Sequence, residues 1–170
     1  LFLFNASTTH PDTNYLGIEI DYKEGRRAAR RLQKRHLPNA RVLGGDVKIP
    51  LRRMIAPGSV DAVHVYFPDP WWKLRHRKRR VFNEEFVNLC AMILRPGGLF
   101  HSWTDVEEYF GVISELMNNH PAYEPLAAPE EHLPEHDMDY QTSYERKGRK
   151  SGSIIHRGRW RRRSDESVRV

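Results

Sequence analysis

The chain has 170 residues, 39% of them hydrophobic, with 28 Lys and Arg against 22 Asp and Glu, a formal net charge of +6 and one cysteine. That content suffices for a single ordinary core. The lone Cys90 excludes an intramolecular disulfide and a cysteine-rich zinc site, and no apolar run approaches the about 20 residues needed to span a bilayer.

In chain order, residues 1–9 have the character of a helix. Residues 14–20 form a short apolar run after a turn rich in Pro, Asp, Thr and Asn, which predicts a buried strand ending in Glu19. A run of strong helix formers over 23–35 stops before Pro38. Residues 41–46 read as a second strand ending in Asp46, 51–55 as a short helix halted by Pro57-Gly58, and 60–67 as a third, more hydrophobic strand. A helix is expected from about 84 to 94; within it Cys90 reads as a buried, inert thiol. The turn Arg95-Pro96-Gly97-Gly98 leads into a fourth strand over 99–103, and 105–118 reads as another helix. Beyond it Pro121, Pro125, Pro129 and Pro134 break regular structure. Residues 141–145 and 153–156 are β-like, and 164–170 read as a frayed tail after one domain over 1–163.

Alternation of this kind predicts an α/β fold of βα units with a mostly parallel sheet. In such sheets ligands bind beyond the carboxyl ends of the strands. Glu19, Asp46, Asp69 and Asp105 all fall at or just past those ends, and four acids at one edge of one sheet point to a site. An acid there can accept hydrogen bonds from the ribose hydroxyls of a nucleotide cofactor, which suits Glu19, while Asp46 could accept from an adenine amine. Each also reads, taken alone, as a surface carboxylate.

The most informative segment is Tyr66-Phe67-Pro68-Asp69-Pro70-Trp71-Trp72. Two prolines hold Asp69 on a stiff, non-helical loop, and two indoles follow. The next eight residues, Lys73-Leu74-Arg75-His76-Arg77-Lys78-Arg79-Arg80, carry six cationic side chains. Such density predicts phosphate contacts. With the second basic block at 146–163 and the acidic stretch at 124–139 between them, it favours a local anionic partner. Either indole could stack on an exposed base or pack beside the prolines. His132 and His136 are separated by Pro134, which disfavours a helical metal site; His64 and His101 read as locally satisfied, and no metal is expected. The N-terminus lacks a signal-peptide pattern, so a cytoplasmic protein is expected.

These segments occur in one order: Tyr15-Leu16-Gly17-Ile18-Glu19, Gly45-Asp46, Phe67-Pro68-Asp69-Pro70-Trp71 with its basic continuation, Leu94-Arg95-Pro96-Gly97-Gly98, Thr104-Asp105-Val106-Glu107 and Thr142-Ser143-Tyr144-Glu145. Together they resemble the bacterial tRNA (guanine-N7)-methyltransferase family over about residues 1–163. The Pro-Asp-Pro-Trp motif with its basic continuation is the specific part.

The resemblance implies a Rossmann-like class I fold and methyl transfer from S-adenosylmethionine to N7 of the variable-loop guanine at tRNA position 46, by a monomer or homodimer. It implies that Glu19, Ile20, Asp46, Val47, Tyr66 and Asp69 line the cofactor site, with Asp69 catalytic at its border with the guanine. Lys73, Asp105, Thr142 and Glu145 would contact the nucleotide, and Arg75, His76, Arg77, Lys78, Arg79 and Arg80 the RNA. The family's fold opens with a strand and a glycine-rich loop that have no counterpart in these residues, which implies a gap in the sheet and a cofactor pocket open on one side. The alternative expectation is a weakly active or inactive RNA-binding remnant of the same fold.

Overall fold

A computed structural model describes residues 1–129, 142–150 and 152–164. The expected tail after 164, His132, His136 and most of the acidic stretch lie outside the described residues. The chain forms two compact units: one comprises Leu1–Pro50 with the described residues of 133–147, the other the described residues of 51–132 and 148–170.

In the first unit helix α1 (Phe2–Thr9) is followed by strand β1 (Tyr15–Glu19), helix α2 (Tyr22–Lys34) and strand β2 (Ala40–Gly44). The strands pair in parallel, from Tyr15 opposite Ala40 to Glu19 opposite Gly44. Asp21 caps α2 by accepting from the Lys23 and Glu24 amides, the ordinary remedy for a helix's orphan N–H groups. One side chain fastens the layers: Asn39 Nδ2 donates to the carbonyls of Ser7, His10 and Thr13 at 3.0, 3.2 and 2.9 Å. Leu32 of α2 and Ala40 of β2 are buried.

Helix α3 (Lys48–Arg53) leads into the second unit, whose strands are β3 (Val60–Tyr66), β4 (Leu94–Thr104), β5 (Tyr123–Leu126) and β6 (His156–Arg162). They form one sheet in the order β3-β4-β6-β5. The βα-unit pair β3 and β4 is parallel, while β6 runs antiparallel to both β4 and β5. Helices α4 (Glu84–Ile93) and α5 (Glu107–Asn118) contribute Phe86, Val87, Cys90, Ile93, Tyr109, Ile113 and Met117 to the core. Phe100 contacts Phe82, Tyr123 and Trp160 edge to face, with ring centroids 5.9 to 6.2 Å apart, the geometry that aromatic quadrupoles favour. Burial pushes the Cys90 thiol up, as suits an unreactive core residue.

Three expectations are corrected. Of the β-like segment 141–145, residues 143–145 are instead the start of helix α6 (Ser143–Lys150). Thr142 and Glu145 have the Thr-x-x-Glu spacing of a capping box, and the Thr142 hydroxyl accepts from the Glu145 amide at 2.9 Å. The β-like segment 153–156 is extended only at His156, where β6 begins. The seven residues of β6 include four arginines, a composition that hid the alternation placing Gly158 and Trp160 inward. Gly158 is needed because a Cβ there would run into the Trp160 ring.

The third correction concerns the strand-end acids, which do not line one sheet. The described strands form a two-stranded sheet carrying Glu19 and Asp46 at its carboxyl end and a four-stranded sheet carrying Asp69 and Asp105 at its own.

Candidate active site

The loop after β3 holds Asp69 in an unusual frame. Phe67 has φ 52° and Trp71 φ 42°, so the Pro68-Asp69-Pro70 tripeptide lies between two bulky residues in the left-handed region. Such conformations cost about 1–3 kcal/mol each and persist only where the surroundings over-determine them. The fastenings are visible. The Phe67 amide donates to the Trp103 carbonyl at 2.7 Å, and Arg80 Nε donates to the Pro70 carbonyl at 2.6 Å. The Arg80 guanidinium lies 4.7 Å from the centroid of the Tyr109 ring. Trp71 packs against the Arg79 guanidinium, 5.2 Å from its ring, and against His76, perpendicular to it at 5.7 Å.

Asp69 and Asp105 are both exposed. They follow Tyr66 and Trp103, which are register partners on adjacent parallel strands, so both acids stand past the same sheet edge. Thr104 Oγ1 accepts from the Val106 amide at 3.2 Å, shaping the turn that presents Asp105. Tyr66 packs its ring 4.7 Å from Trp103 and shares a 2.8 Å hydrogen bond between its hydroxyl and His64 Nδ1.

His64 stacks on His101 at 4.8 Å with planes 10° apart. Burial and the nearby charge of Arg159 pull His101 down to about 4. Packing within the sheet and the adjacent His101 pull His64 in the same direction, although its edge remains open to solvent. Both shifts disfavour a charge on either stacked ring.

The basic run forms a 3-10 helix over Leu74–Arg79. Lys73, Arg75 and Arg79 are exposed, as is Trp72 at 58%. The two indoles thus differ: Trp71 packs against Arg79 and His76 within the loop, and Trp72 faces solvent. Arg80, expected among the outward cations, is buried at 9% exposure and serves the loop's own architecture. Sequence reasoning also missed Tyr109, which is fully buried, with a hydroxyl that lacks a hydrogen-bond partner in good geometry among the described residues. Burial pushes its phenol up to about 12; the Phe82 backbone and Arg80 temper the rise and Asp69 adds to it. Its spacing on α5 marks it only as a core residue.

In the first unit Glu19 ends β1, and its Oε1 accepts from the Asp21 amide at 3.0 Å. Ile20 beside it is 71% exposed. The Gly45 amide donates to the Glu19 carbonyl at 2.9 Å; Gly45 has φ 135°, a value that glycine tolerates and other residues do not. Asp46 follows, exposed, with Oδ1 accepting from the Lys48 amide at 2.9 Å, and Val47 is half-buried next to it. Two oriented carboxylate acceptors beside an exposed aliphatic side chain match the donors of a ribose diol and an adenine amine together with an apolar purine face. S-adenosylmethionine therefore fits the residues present at this edge. Thr142 and Glu145 are both buried, Glu145 at 4%.

This architecture and its strand-end acids define the class as a methyltransferase of Rossmann-like fold. Residues 1–157 match a family model described as "Putative methyltransferase", and the crystal structure of the aminoglycoside resistance methyltransferase NpmB1 shares the fold, with a TM-score of 0.61 at 17% identity over 95% of this chain and 81% of that one. The chain is 43% identical to a tRNA (guanine-N(7)-)-methyltransferase of Rhodopirellula baltica, over 96% of its own length and 63% of the relative's. It is 34% identical to another from Geobacter metallireducens, over 91% and 74%. The chain belongs to the tRNA (guanine-N7)-methyltransferase family. It spans between half and three quarters of the length of these and similar curated relatives.

Proposed function

We propose that the chain takes part in methyl transfer from S-adenosylmethionine to N7 of a guanine in tRNA, the variable-loop guanine at position 46. The observation that carries this reading is the strained Phe67–Trp71 loop: a solvent-facing carboxylate fixed between two prolines, followed at once by the cationic 3-10 turn. Within the proposal, Glu19 and Asp46 accept from the cofactor's ribose and adenine, while Ile20 and Val47 bound its purine. When bound, S-adenosylmethionine supplies an electrophilic methyl group on a sulfonium.

The remaining work falls to this chain's own residues. Guanine N7 has an in-plane lone pair and no proton, so the base must be oriented and need not be deprotonated. Orientation alone can contribute several kcal/mol, up to about 7–11 in the best-aligned systems. Methylation leaves the purine cationic, so a carboxylate fixed beside it gains attraction as the reaction proceeds. Asp69 fills that role better than the role of a general base. Asp105, exposed beyond β4, accepts from the guanine N1–H and exocyclic amine; Glu145 is a less accessible acceptor because it is buried. Thr142 already accepts within α6 and has its hydroxyl proton left to donate. Lys73, Arg75, His76, Arg77, Lys78 and Arg79 meet the phosphates, Trp72 is the stacking platform, and Arg80 supports the loop from within.

The test is incubation of the chain with unmodified tRNA and methyl-labelled S-adenosylmethionine, followed by borohydride and aniline scission, which cuts at N7-methylguanosine. Label and scission at position 46 are expected, with loss of both in Asp69→Ala while RNA binding persists. Label elsewhere in the RNA, or wild-type turnover by Asp69→Ala, would overturn the assignment.

A further inference from the structure

Helix α2 bears a second concentration of positive charge that the proposed site does not use. Lys23, Arg26, Arg30 and Lys34 recur at spacings of three, four and four, with Arg27 and Arg31 next to them in sequence, which places all six on one broad face of the helix, and Arg35 follows at its C-cap. All are exposed, whereas Gly25 and Leu32 on the opposite side are buried. Among the described residues the only ion pair on this face is Arg27 with Glu24 at 2.9 Å. Arg31 and Arg35 each lie 5.9 Å from the centroid of the Phe4 ring, which gathers two guanidiniums beside one aromatic side chain. Arg30, Arg31, Lys34 and Arg35 line a cleft of about 310 Å³.

Like charges three or four residues apart destabilise a helix by about 0.2–0.5 kcal/mol per pair. A stripe of them with one internal counter-charge is therefore a standing cost, which an external polyanion removes. The planar fork of a guanidinium also suits bidentate contact with phosphate oxygens.

We propose that the exposed face of α2, formed by Arg26, Arg27, Arg30, Arg31, Lys34 and Arg35, is a phosphate-binding surface for the RNA backbone, additional to the cationic turn at 73–80. It rests on the reading that the substrate is an RNA. The contact is to backbone and carries no base specificity, so it raises affinity and encounter rate without altering which atom is methylated.

The experiment measures the affinity of the full chain for a fluorescent tRNA transcript by anisotropy between 50 and 200 mM salt, alongside methyl-transfer kinetics. Replacing Arg26, Arg30 and Lys34 together by Gln is expected to lower the slope of log affinity against log salt by about two to three, close to one for each phosphate that is no longer neutralised. KM for the RNA should rise and kcat at saturating RNA should hold. The charge-preserving Arg26→Lys, Arg30→Lys variant is expected to retain the wild-type slope; an equal fall there would trace the effect to helix damage and overturn the proposal.

A Gln variant with the wild-type slope would also overturn it, and if neutralising Arg75, Arg77 and Lys78 still lowered the slope, the substrate reading would stand while this inference fell. A wild-type chain that binds no RNA would remove both. Binding of phosphatidylserine vesicles that depends on α2, with an unchanged RNA slope, would assign the face to a lipid surface instead.

Discussion

Tyr109 carries a phenol with no hydrogen bond in good geometry among the described residues, beneath the loop that presents Asp69. The pKa of the phenol is raised from 10.0 to about 12, first by burial. A raised folded-state value means that the native protein keeps a proton which the unfolded chain has released. The associated stability is complete below pH 10 and is lost as pH climbs toward 12. Melting temperatures between pH 10 and 12 should fall more steeply for wild type than for Tyr109→Phe, and parallel curves would show that Tyr109 does not drive alkaline unfolding. Nothing in the sequence separated Tyr109 from its neighbours on α5, because ring placement under a loop depends on how the sheet and helix pack. The stiff, non-helical loop around Asp69, by contrast, was legible from its two prolines.

At the level of elements, the βα alternation was readable because apolar strands and capped helices each carry their own local signal. Helix α4 illustrates this: Asn83 Oδ1 accepts from the Phe86 amide at 3.0 Å, and Glu84 and Glu85 stand in the first turn, complementing the helix dipole. Asn83→Ala should therefore cost about 1 kcal/mol in urea unfolding while Asn83→Asp restores it; equal stability of all three would deny the cap any weight. The failures were just as local. Thr142 and Tyr144 suggested a strand by type, yet Thr142 sits where its hydroxyl can close the first turn of a helix, and capping overrode β propensity. The arginines of β6 concealed a strand whose inward residues are a glycine and a tryptophan. Short β5 was hidden by Pro125, which an edge strand accommodates.

For the molecule as a whole, burial is unequal between the two units. Val87, Cys90, Leu94, Phe100, Ile113 and Met117 of the second unit are completely shielded, whereas Leu32 and Ala40 are the buried hydrophobic residues of the first among those described. Hydrogen exchange should accordingly find the slowest amides in β4, α4 and α5 and faster exchange in β1 and β2; uniform protection across these elements would contradict this ordering. The separation of the sheets was only partly legible. The strands could be read singly, but which strand bonds to which is not written in any one segment.

Arg80 adds a consequence for handling the protein. Lys73, Arg75 and Arg79 face water, where about 1 M salt shrinks the Debye length to about 3 Å, but the grip of Arg80 on the Pro70 carbonyl and the Tyr109 face lies beneath the surface. Concentrated salt should therefore strip adventitious polyanions from these exposed cations and leave the shape of the Asp69 loop intact, so that a high-salt wash cleans the protein without loosening the loop.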